Sequence, residues 1–532
     1  MFESTDPRPF ITFIAETHMK ANATFEFQSP LLKPIKTGLE NPTKDHGELG
    51  DPLSPMARLF HRPGSSLYIM GLVGSKTTID PHHFKAGVAS AFLAYPRFTS
   101  LLVPDKEDTF AGDGSTKMRW VKTNVDIDQH VFFSKTDPKD TSHVGVDKFV
   151  EEYTREITGI PMDMSKPLWD VHVLNLDKMT TQGAMAVALF RFHHSIGDGT
   201  SLMSLFMSFT RKASDPNAKP SLPVFSKKKQ QTYSMSKIHK FLSSLRLLWN
   251  TLVDVLNLLA TAFFLDDTSN PLKGPKDARQ RPRRIILKSV RLEDIKLVKN
   301  ITKTTLNDVV MGVIESALSR YLNRRYGEIN RGGNRVKNNI GNLPQKLRFR
   351  ATMYFNIRAV QGIQAVENMI NKDSLARWGN QLGYVIYPLK IMMRDNNPLD
   401  YVYRAQAMMH RKKASMESYF SYHIGRFFLN AFGFKVASIP VNPSMWFSNM
   451  IGPQEEISIF GYPVAYLGCT CFGQTVALMI HVMSYADNLN FILSTDDDVI
   501  SNPHEICNDL EQSLEEIKMA AVTKKNDDAS KK

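Results

Sequence analysis

The chain has 532 residues, of which 42% are hydrophobic and 22% are charged, and its formal net charge at pH 7 is +13. This length and composition predict a globular protein of two domains, and three cysteines are too few for a disulfide framework, which indicates a cytosol-facing location. The positive charge favours phosphates or lipid headgroups as partners; the basic residues are dispersed and form no recognised nucleic-acid module, so we expect no nucleic acid partner.

The first half of the chain reads as an extension followed by an α/β domain. Residues 1–50 lack the basic start and apolar core of a signal peptide, and we interpret them as a flexible N-terminal extension. From 51 to 210, strand-like and helix-like stretches alternate, as expected for mixed sheets packed by helices.

An apolar run at residues 184–192, interrupted only by Arg191, predicts a strand buried on both faces. The sequence His193-His194-Ser195-Ile196-Gly197-Asp198-Gly199 follows, and apolar residues then recur at helical spacing, with Thr200 or Ser201 suited to cap that helix. The two histidines therefore lie on a strand-to-helix turn, where an imidazole can accept a proton near neutral pH. An aspartate so close to the histidines is better placed to hold this loop than to act on a substrate.

Residues 211–285 are rich in proline and basic residues, and we interpret them as a linker between two domains. Their apolar segment 241–265 carries polar residues at steps of four, four, three and four, which form one helical stripe: Arg246, Asn250, Asp254, Asn257 and Thr261. A charged stripe is costly inside a membrane, so we favour a helix in the membrane interface with this stripe turned to water. A core helix and a spanning helix are the alternatives.

The second domain is predicted to cover residues 286–521. Thr305 can cap a helix that ends near residue 321, which puts Asn307 and Asp308 in its first turn, either as complements of the helix dipole or as site residues. On the strand at 476–484, His481 is interpreted as a core histidine with satisfied hydrogen bonds. The last residues, 522–532, are charged and are predicted to be a disordered tail.

The His-His-x-x-x-Asp-Gly sequence resembles the signature of the CoA-dependent acyltransferase superfamily. Pro167-Leu168-Trp169, Asn307-Asp308 and Ser448-Asn449-Met450-Ile451-Gly452-Pro453 are similar to companion motifs of the wax ester synthase/diacylglycerol acyltransferase family, most closely its plant branch. The resemblance runs from about residue 52 to about residue 517. It implies an α/β fold of two chloramphenicol-acetyltransferase-like domains with a tunnel at their junction.

The resemblance also implies roles for individual residues. His194 corresponds to the general base, and His193 and Gly199 belong to the same loop. In related acyltransferases an arginine from the second half pairs with the motif aspartate, and Arg358 is our candidate to pair with Asp198.

The companion motifs supply further candidates for substrate contacts. Trp169 corresponds to a position near the acyl channel, with a plain core aromatic as the alternative. Asn307, Ser448 and Asn449 are candidates for substrate binding and, with backbone amides near Gly199, for donors to the oxyanion.

The implied reaction moves a fatty acyl group from acyl-CoA to a long-chain alcohol or diacylglycerol, without a metal or organic cofactor. No serine or cysteine lies in a nucleophile-elbow pattern, which favours direct transfer over an acyl-enzyme. We expect a membrane surface as partner through 241–265, at the cytosolic face of the endoplasmic reticulum or at the plasma membrane. The alternatives are an acyltransferase of the soluble type, whose Asp-Phe-Gly-Trp-Gly motif is absent, and a non-catalytic lipid-binding protein of the same fold.

Overall fold

The computed structural model describes residues 51–62, 65–105, 117–134, 143–221, 237–275, 281–332, 342–344, 346–359, 362–370, 377–392, 397–432 and 443–530. The predicted extension 1–50 lies outside the described residues, as do parts of the linker.

The described elements alternate between helices and strands along both halves. The helices of the first half are α1 (Pro55–Phe60), α2 (Pro81–Phe92), α3 (His143–Thr158) and α4 (Gly199–Phe209). Its strands are β1 (His61–Arg62), β2 (Ser65–Ser66), β3 (Tyr68–Ser75), β4 (Ser100–Pro104), β5 (Met118–Lys122), β6 (Val131–Ser134), β7 (Trp169–Asn175), β8 (Ala186–His193) and β9 (Thr210–Lys212). Helix α5 (Lys237–Phe263) lies in the predicted linker.

The second half continues the same alternation. Its helices are α6 (Leu292–Thr302), α7 (Leu306–Gly332), α8 (Val366–Ile370), α9 (Pro398–Lys413), α10 (Glu417–Phe432) and α11 (His504–Ser530). Its strands are β10 (Arg284–Arg291), β11 (Arg350–Asn356), β12 (Leu382–Pro388), β13 (Met445–Ile451), β14 (Ile457–Ile459), β15 (Tyr462–Phe472), β16 (Leu478–Tyr485) and β17 (Asn488–Thr495).

Two large mixed sheets organise these elements, which confirms the predicted α/β fold. The first has the order β6-β7-β8-β3-β15-β14-β9 and the second the order β10-β17-β16-β13-β11-β12. Strands β14 and β15 come from the second half of the chain but complete the first sheet, where β15 pairs with β3. A boundary near residue 285 therefore divides the chain in sequence, whereas the first sheet is built from both sides of it.

Strand β8 is buried along its whole length, as the apolar run predicts. Its one charge is neutralised, because Arg191 forms an ion pair of 2.6 Å with Asp170 on β7. The helix after the motif loop is capped by Asp198, whose carboxylate accepts from the backbone N–H of Ser201 at 3.0 Å. The predicted cap at Thr200 or Ser201 is therefore wrong by two or three residues, since a carboxylate just before the helix satisfies the first free N–H groups better.

Helix α5 confirms the predicted amphipathic segment but reverses its orientation. Asn250, Asp254 and Thr261 of the polar stripe are buried against the protein, where Asp254 accepts from Lys412 at 3.0 Å and from Arg411 at 2.8 Å. The outward face is apolar, and the prediction that the stripe as a whole faces water is wrong. Periodicity separates the two faces of a helix but does not reveal that α9 supplies the cations that the stripe needs. In the described part of the chain, no helix is long and apolar enough to span a membrane.

Two helix ends differ from the sequence prediction. Helix α7 runs to Gly332 rather than 321, because Arg324 on its added turns forms an ion pair with Asp509 of α11. Helix α11 continues to Ser530, so the prediction of disorder is wrong for residues 522–530. The earlier turns of α11 pack in the core and nucleate the helix, and Lys524 donates to the Tyr403 hydroxyl at 2.6 Å, so extension by further turns costs little.

Candidate active site

His194 lies at the end of β8 with one ring nitrogen held and the other left for chemistry. Its Nδ1 lies 3.0 Å from the Asn380 side-chain oxygen, and the Asn380 amide donates back to the His194 carbonyl at 2.9 Å. Because an amide oxygen only accepts, Nδ1 carries the proton and Nε2 is the basic nitrogen. Burial lowers the pKa of His194, with partial offsets from its backbone, Asp198 and Asn380. The imidazole is therefore neutral at pH 7 and able to accept a proton.

His193 is fully buried and serves the packing of the loop. Its Nδ1 accepts from the backbone N–H of Ser195 at 3.1 Å, and its other nitrogen lies 3.4 Å from His61 Nδ1. The ring packs edge-on against Tyr68, with 5.3 Å between ring centroids. Burial, with His61 and His194 beside it, lowers the pKa of His193 well below its usual value. His193 thus orients the loop and does not line the active-site cavity.

Asp198 forms the predicted pair with Arg358, and both side chains are buried. The guanidinium donates twice to the carboxylate, at 2.7 Å and 3.1 Å, and also to the Gly379 carbonyl at 2.7 Å. The backbone N–H of Gln381 donates to the same carboxylate at 3.0 Å. Burial alone would raise the pKa of Asp198, but the charge and hydrogen bonds of Arg358 outweigh it and the pKa is lowered. The ionised pair joins the motif loop to the second half of the chain.

A mostly apolar cavity lies between the two large sheets and opens beside His194. Besides His194, three of the predicted site residues line it: Gly199, Ser448 and Asn449. Gly199 leaves room for a neighbouring side chain, since an added Cβ would lie 2.4 Å from the terminal methyl of Met450. Phe60 covers His194 on one side, with 4.1 Å between ring centroids.

Trp169 does not line this cavity. Its indole N–H donates to the Phe98 carbonyl at 2.9 Å, and its ring stacks on His130 with 4.3 Å between centroids. Within the described part of the chain, Trp169 makes the contacts that are typical of a buried core aromatic. Its assignment to substrate binding is therefore not supported, because its ring packs behind Phe92, whose side chain lines the cavity instead.

Asn307 and Asp308 separate into two structural roles at the start of α7. Asp308 accepts from the backbone N–H of Thr305 at 2.8 Å while Thr305 accepts from that of Asp308 at 3.3 Å, which is a reciprocal capping box. Asn307 lies outside the cavity lining and accepts a hydrogen bond from the side-chain amide of Asn449. Asn307 thus orients Asn449, and only Asn449 reaches the cavity.

The wall formed by the second sheet carries polar groups without partners. His481 lines the cavity, is buried, and has no hydrogen-bond partner on either ring nitrogen among the described residues. The interpretation of His481 as a core histidine with satisfied hydrogen bonds is therefore wrong. Its neighbours along β16, Ile480 and Val482, are apolar, and Ser448, which lies opposite it on β13, forms no hydrogen bond with the imidazole.

Sequence reasoning missed Asn380 and Trp378 as parts of the site. Asn380 fixes the tautomer of His194, and the Trp378 indole N–H donates to the Ile196 carbonyl of the motif loop at 2.8 Å. Both lie in Arg377-Trp378-Gly379-Asn380, just before β12. That short stretch has no spacing that indicates contact with the motif. In the folded chain it is held there by these hydrogen bonds and by those from Arg358 and Ser201 to its backbone carbonyls.

Two family models match the chain. The wax ester synthase/diacylglycerol acyltransferase catalytic domain matches residues 106–310, and the WS/DGAT C-terminal domain matches residues 378–518. Wax ester synthase/diacylglycerol acyltransferase 5 of Arabidopsis thaliana is 39% identical over 493 residues, which cover 90% of this chain and 95% of the relative. Wax ester synthase/diacylglycerol acyltransferase 10 of the same plant is 40% identical over 478 residues, or 88% and 97% of the two chains.

Solved structures share the fold. A wax ester synthase/diacylglycerol acyltransferase from Marinobacter aquaeolei VT8 aligns with a TM-score of 0.55 at 18% identity, over 88% of this chain and 99% of the other. A trichothecene 15-O-acetyltransferase from Fusarium sporotrichioides aligns with a TM-score of 0.51 at 12% identity, over 90% and 97%. At such identities the likeness establishes the common architecture alone.

Proposed function

We propose, since the chain belongs to the wax ester synthase/diacylglycerol acyltransferase family, that this acyltransferase moves a fatty acyl group from acyl-CoA to the hydroxyl of a long-chain alcohol or of diacylglycerol. The observation that carries the mechanism is the hydrogen bond from His194 Nδ1 to Asn380, which leaves Nε2 as the base at the wall of an apolar cavity. Apolar walls suit long hydrocarbon chains, and a neutral imidazole suits proton removal near pH 7.

The reaction follows from that geometry. His194 Nε2 takes the proton from the acceptor hydroxyl as the oxygen attacks the thioester carbonyl carbon. The tetrahedral oxyanion then collapses, the carbon–sulfur bond breaks, and the CoA thiolate takes the proton back from His194. One ester and one free CoA are formed for each acyl-CoA and hydroxyl consumed. Backbone amides near Gly199 and the side chains of Ser448 and Asn449 are the donors that we assign to the oxyanion.

Direct transfer is favoured over an acyl-enzyme by the state of the cavity thiols. Cys469 and Cys471 both line the cavity and both are free. Burial raises the pKa of Cys469 to about 12, and burial with Cys469 nearby raises the pKa of Cys471 further. Both thiols therefore remain protonated and are poor nucleophiles near neutral pH.

The test is the product of a defined reaction. Purified protein is incubated with labelled palmitoyl-CoA and either hexadecanol or dioleoylglycerol, and both labelled ester and free CoA are measured. We expect equal amounts of the two with at least one acceptor. Absence of ester with both acceptors would contradict the proposal, and palmitate released without ester would indicate a hydrolase.

We further propose that the enzyme binds a membrane surface through the outward face of α5. Large apolar side chains on that face are exposed to solvent: Phe241, Leu245, Leu248, Trp249, Leu252, Leu256 and Phe263. Phe420 and Phe427 of the neighbouring helix α10 are exposed as well. A continuous apolar face with a positively charged protein behind it fits a bilayer with anionic headgroups.

A cavity beside α5 supports this choice of partner. Its lining includes Leu258, Leu259 and Phe263 of α5, and it shares Phe60 and Tyr354 with the cavity that contains His194. A hydrophobic acceptor that leaves the bilayer at α5 would thus have a short apolar path to the base. The cytosolic face of the endoplasmic reticulum is the membrane that we propose, with the plasma membrane as the alternative.

Vesicle flotation tests the membrane proposal. Changing Trp249, Leu252 and Leu256 together to glutamate should reduce the fraction bound to phosphatidylcholine/phosphatidylserine vesicles at least tenfold, because each burial of such a side chain contributes about 1.5–3 kcal/mol. The matched control changes three scattered side chains of similar exposure, Val144, Ile329 and Met519, to glutamate. Equal loss in both variants, or no loss in either, would contradict a docking role for α5.

A further inference from the structure

The cavity wall made by the second sheet contains three buried polar groups that lack hydrogen-bond partners among the described residues. They are the Tyr354 hydroxyl, the Trp446 indole N–H and both ring nitrogens of His481. All three side chains line the cavity that contains His194. Leaving a buried polar group unpaired costs folding free energy, so three such groups in one apolar cavity indicate groups that a ligand satisfies.

Strand register brings the three side chains to one face. They come from the adjacent strands β11, β13 and β16. Trp446 pairs with Thr352 on one side and Met479 on the other, and Tyr354 and His481 lie two residues further along their strands. Alternate residues of a strand point to the same face, so the three side chains share one. The rings of Tyr354 and Trp446 meet edge-on, with 5.3 Å between centroids.

All three groups are uncharged at neutral pH. Burial raises the pKa of Tyr354 well above its usual value, so its hydroxyl keeps its proton. Burial, with a smaller contribution from His194, lowers the pKa of His481 to about 3, so its imidazole is neutral and offers one N–H. The indole of Trp446 can only donate. Three neutral donors suit neutral oxygen acceptors, such as ester carbonyls, better than they suit an anion or a cation.

We propose that Tyr354, Trp446 and His481 form a donor patch that binds the ester carbonyl groups of a glyceride acceptor, so that the cavity fits diacylglycerol better than a simple long-chain alcohol. This inference rests on the proposed function, because it concerns the acceptor of the same reaction. A fatty alcohol has a single oxygen, which must reach His194, and it leaves the donors of the patch unpaired. Diacylglycerol carries two ester carbonyls besides its reacting hydroxyl, and a site with unpaired donors discriminates strongly against an analogue that lacks the matching oxygen.

The test compares two acceptors in variants that remove donors without enlarging the side chains. Tyr354→Phe and His481→Leu are made singly and together, and kcat/KM is measured with dioleoylglycerol and with hexadecanol at one palmitoyl-CoA concentration. We expect the double variant to lose at least tenfold with dioleoylglycerol and the ratio of dioleoylglycerol to hexadecanol activity to fall at least fivefold. The thermal midpoint should stay equal or rise, because buried groups without partners are removed.

Thr470→Val is the matched control. Thr470 is buried, its hydroxyl also has no partner among the described residues, and it does not line the cavity. Removal of the Thr470 hydroxyl should leave kcat/KM with both acceptors, and hence the ratio of the two values, unchanged.

The outcomes separate the patch from the proposed function. If the wild-type enzyme forms ester but the double variant keeps the same acceptor ratio, the patch proposal is wrong and the function stands. A parallel loss with both acceptors would assign the donors to the acyl-CoA thioester, and that too overturns the glyceride assignment. A wild-type enzyme that esterifies hexadecanol but never dioleoylglycerol would overturn it directly, and one that forms no ester would remove both proposals.

Discussion

Two buried ionic networks join distant parts of the chain, and they do different work. In the catalytic network, Asp198 of the motif loop pairs with Arg358 after β11. In the helix network, Asp254 of α5 pairs with Lys412, which also bonds Glu417 at 2.7 Å. Both aspartates are almost completely buried. The first network holds the loop that carries the base, whereas the second turns the polar side of a surface helix inward and leaves its apolar side exposed. The catalytic network therefore supports the loop of His194, and the helix network fixes α5 to the rest of the protein.

The sharpest test of this division is His194→Ala. Removal of the base should lower kcat by about a hundredfold to ten-thousandfold, the usual contribution of general acid–base catalysis. The measurement is kcat with palmitoyl-CoA and the better acceptor, with circular dichroism as the check on folding. His193→Ala is the comparison variant and should retain more turnover per folded molecule, because His193 packs and orients the loop. Turnover near the wild-type value in His194→Ala would exclude the proposed mechanism.

The catalytic network should be the more strongly coupled of the two. Asp198→Ala and Arg358→Ala should each lower the free energy of unfolding by about 3–5 kcal/mol, since each leaves a buried charge without its partner. The double variant should lose clearly less than the sum, as measured by urea unfolding in a double-mutant cycle. Both single variants should also lose turnover, because the loop that positions His194 is released. Additive losses would mean that the two ions do not act as a pair.

The helix network should affect stability without affecting chemistry. Asp254→Asn removes one partner of Lys412, but Glu417 remains, so we expect a loss of about 2 kcal/mol, within the range for hydrogen bonds to charged groups. Its kcat with a short, water-soluble alcohol acceptor should stay within about twofold of wild type. A loss of kcat as large as that of Asp198→Ala would contradict the separate roles of the two networks, because it would mean that α5 affects the loop of His194.

The difference between the networks also explains what the sequence can predict. The motif from His193 to Gly199 combines a buried strand, a turn and a helix start within a few residues, so local patterns locate the loop and its two histidines. The assignment of His194 as the base came from the family resemblance. Asp198–Arg358 was predictable only from a family resemblance, because 160 residues separate the two in the chain. Asn380 lies 186 residues from His194, and no local pattern indicates its contact.

The orientation of α5 and the role of His481 depend on partners elsewhere in the fold. The stripe of α5 is correctly predicted as a face, but its burial depends on Lys412 and Arg411 of α9. The sequence pattern around His481, a histidine on an apolar strand, is the same whether its ring nitrogens form hydrogen bonds or face a cavity. The crossing of β15 into the first sheet is likewise set by pairing with β3, which the strand's own apolar pattern does not specify.

The smallest expected effect is a shift in the pH dependence of kcat/KM, which should occur in a variant of the catalytic network and not in one of the helix network. Burial lowers the pKa of His194, so kcat/KM should fall only as the pH drops below about 6.5, where the base becomes protonated. Asn380→Asp places a carboxylate at the position now 3.0 Å from Nδ1, which stabilises the imidazolium and should raise this pKa. The fall of kcat/KM on the acid side should then move to higher pH, with little change in its value at neutral pH.

Asp254→Asn is the control, and its acid-side fall in kcat/KM should coincide with that of the wild type, because Asp254 belongs to the helix network. An unshifted acid-side fall in Asn380→Asp would mean that Asn380 does not hold Nδ1, and the assignment of Nε2 as the base would lose its support.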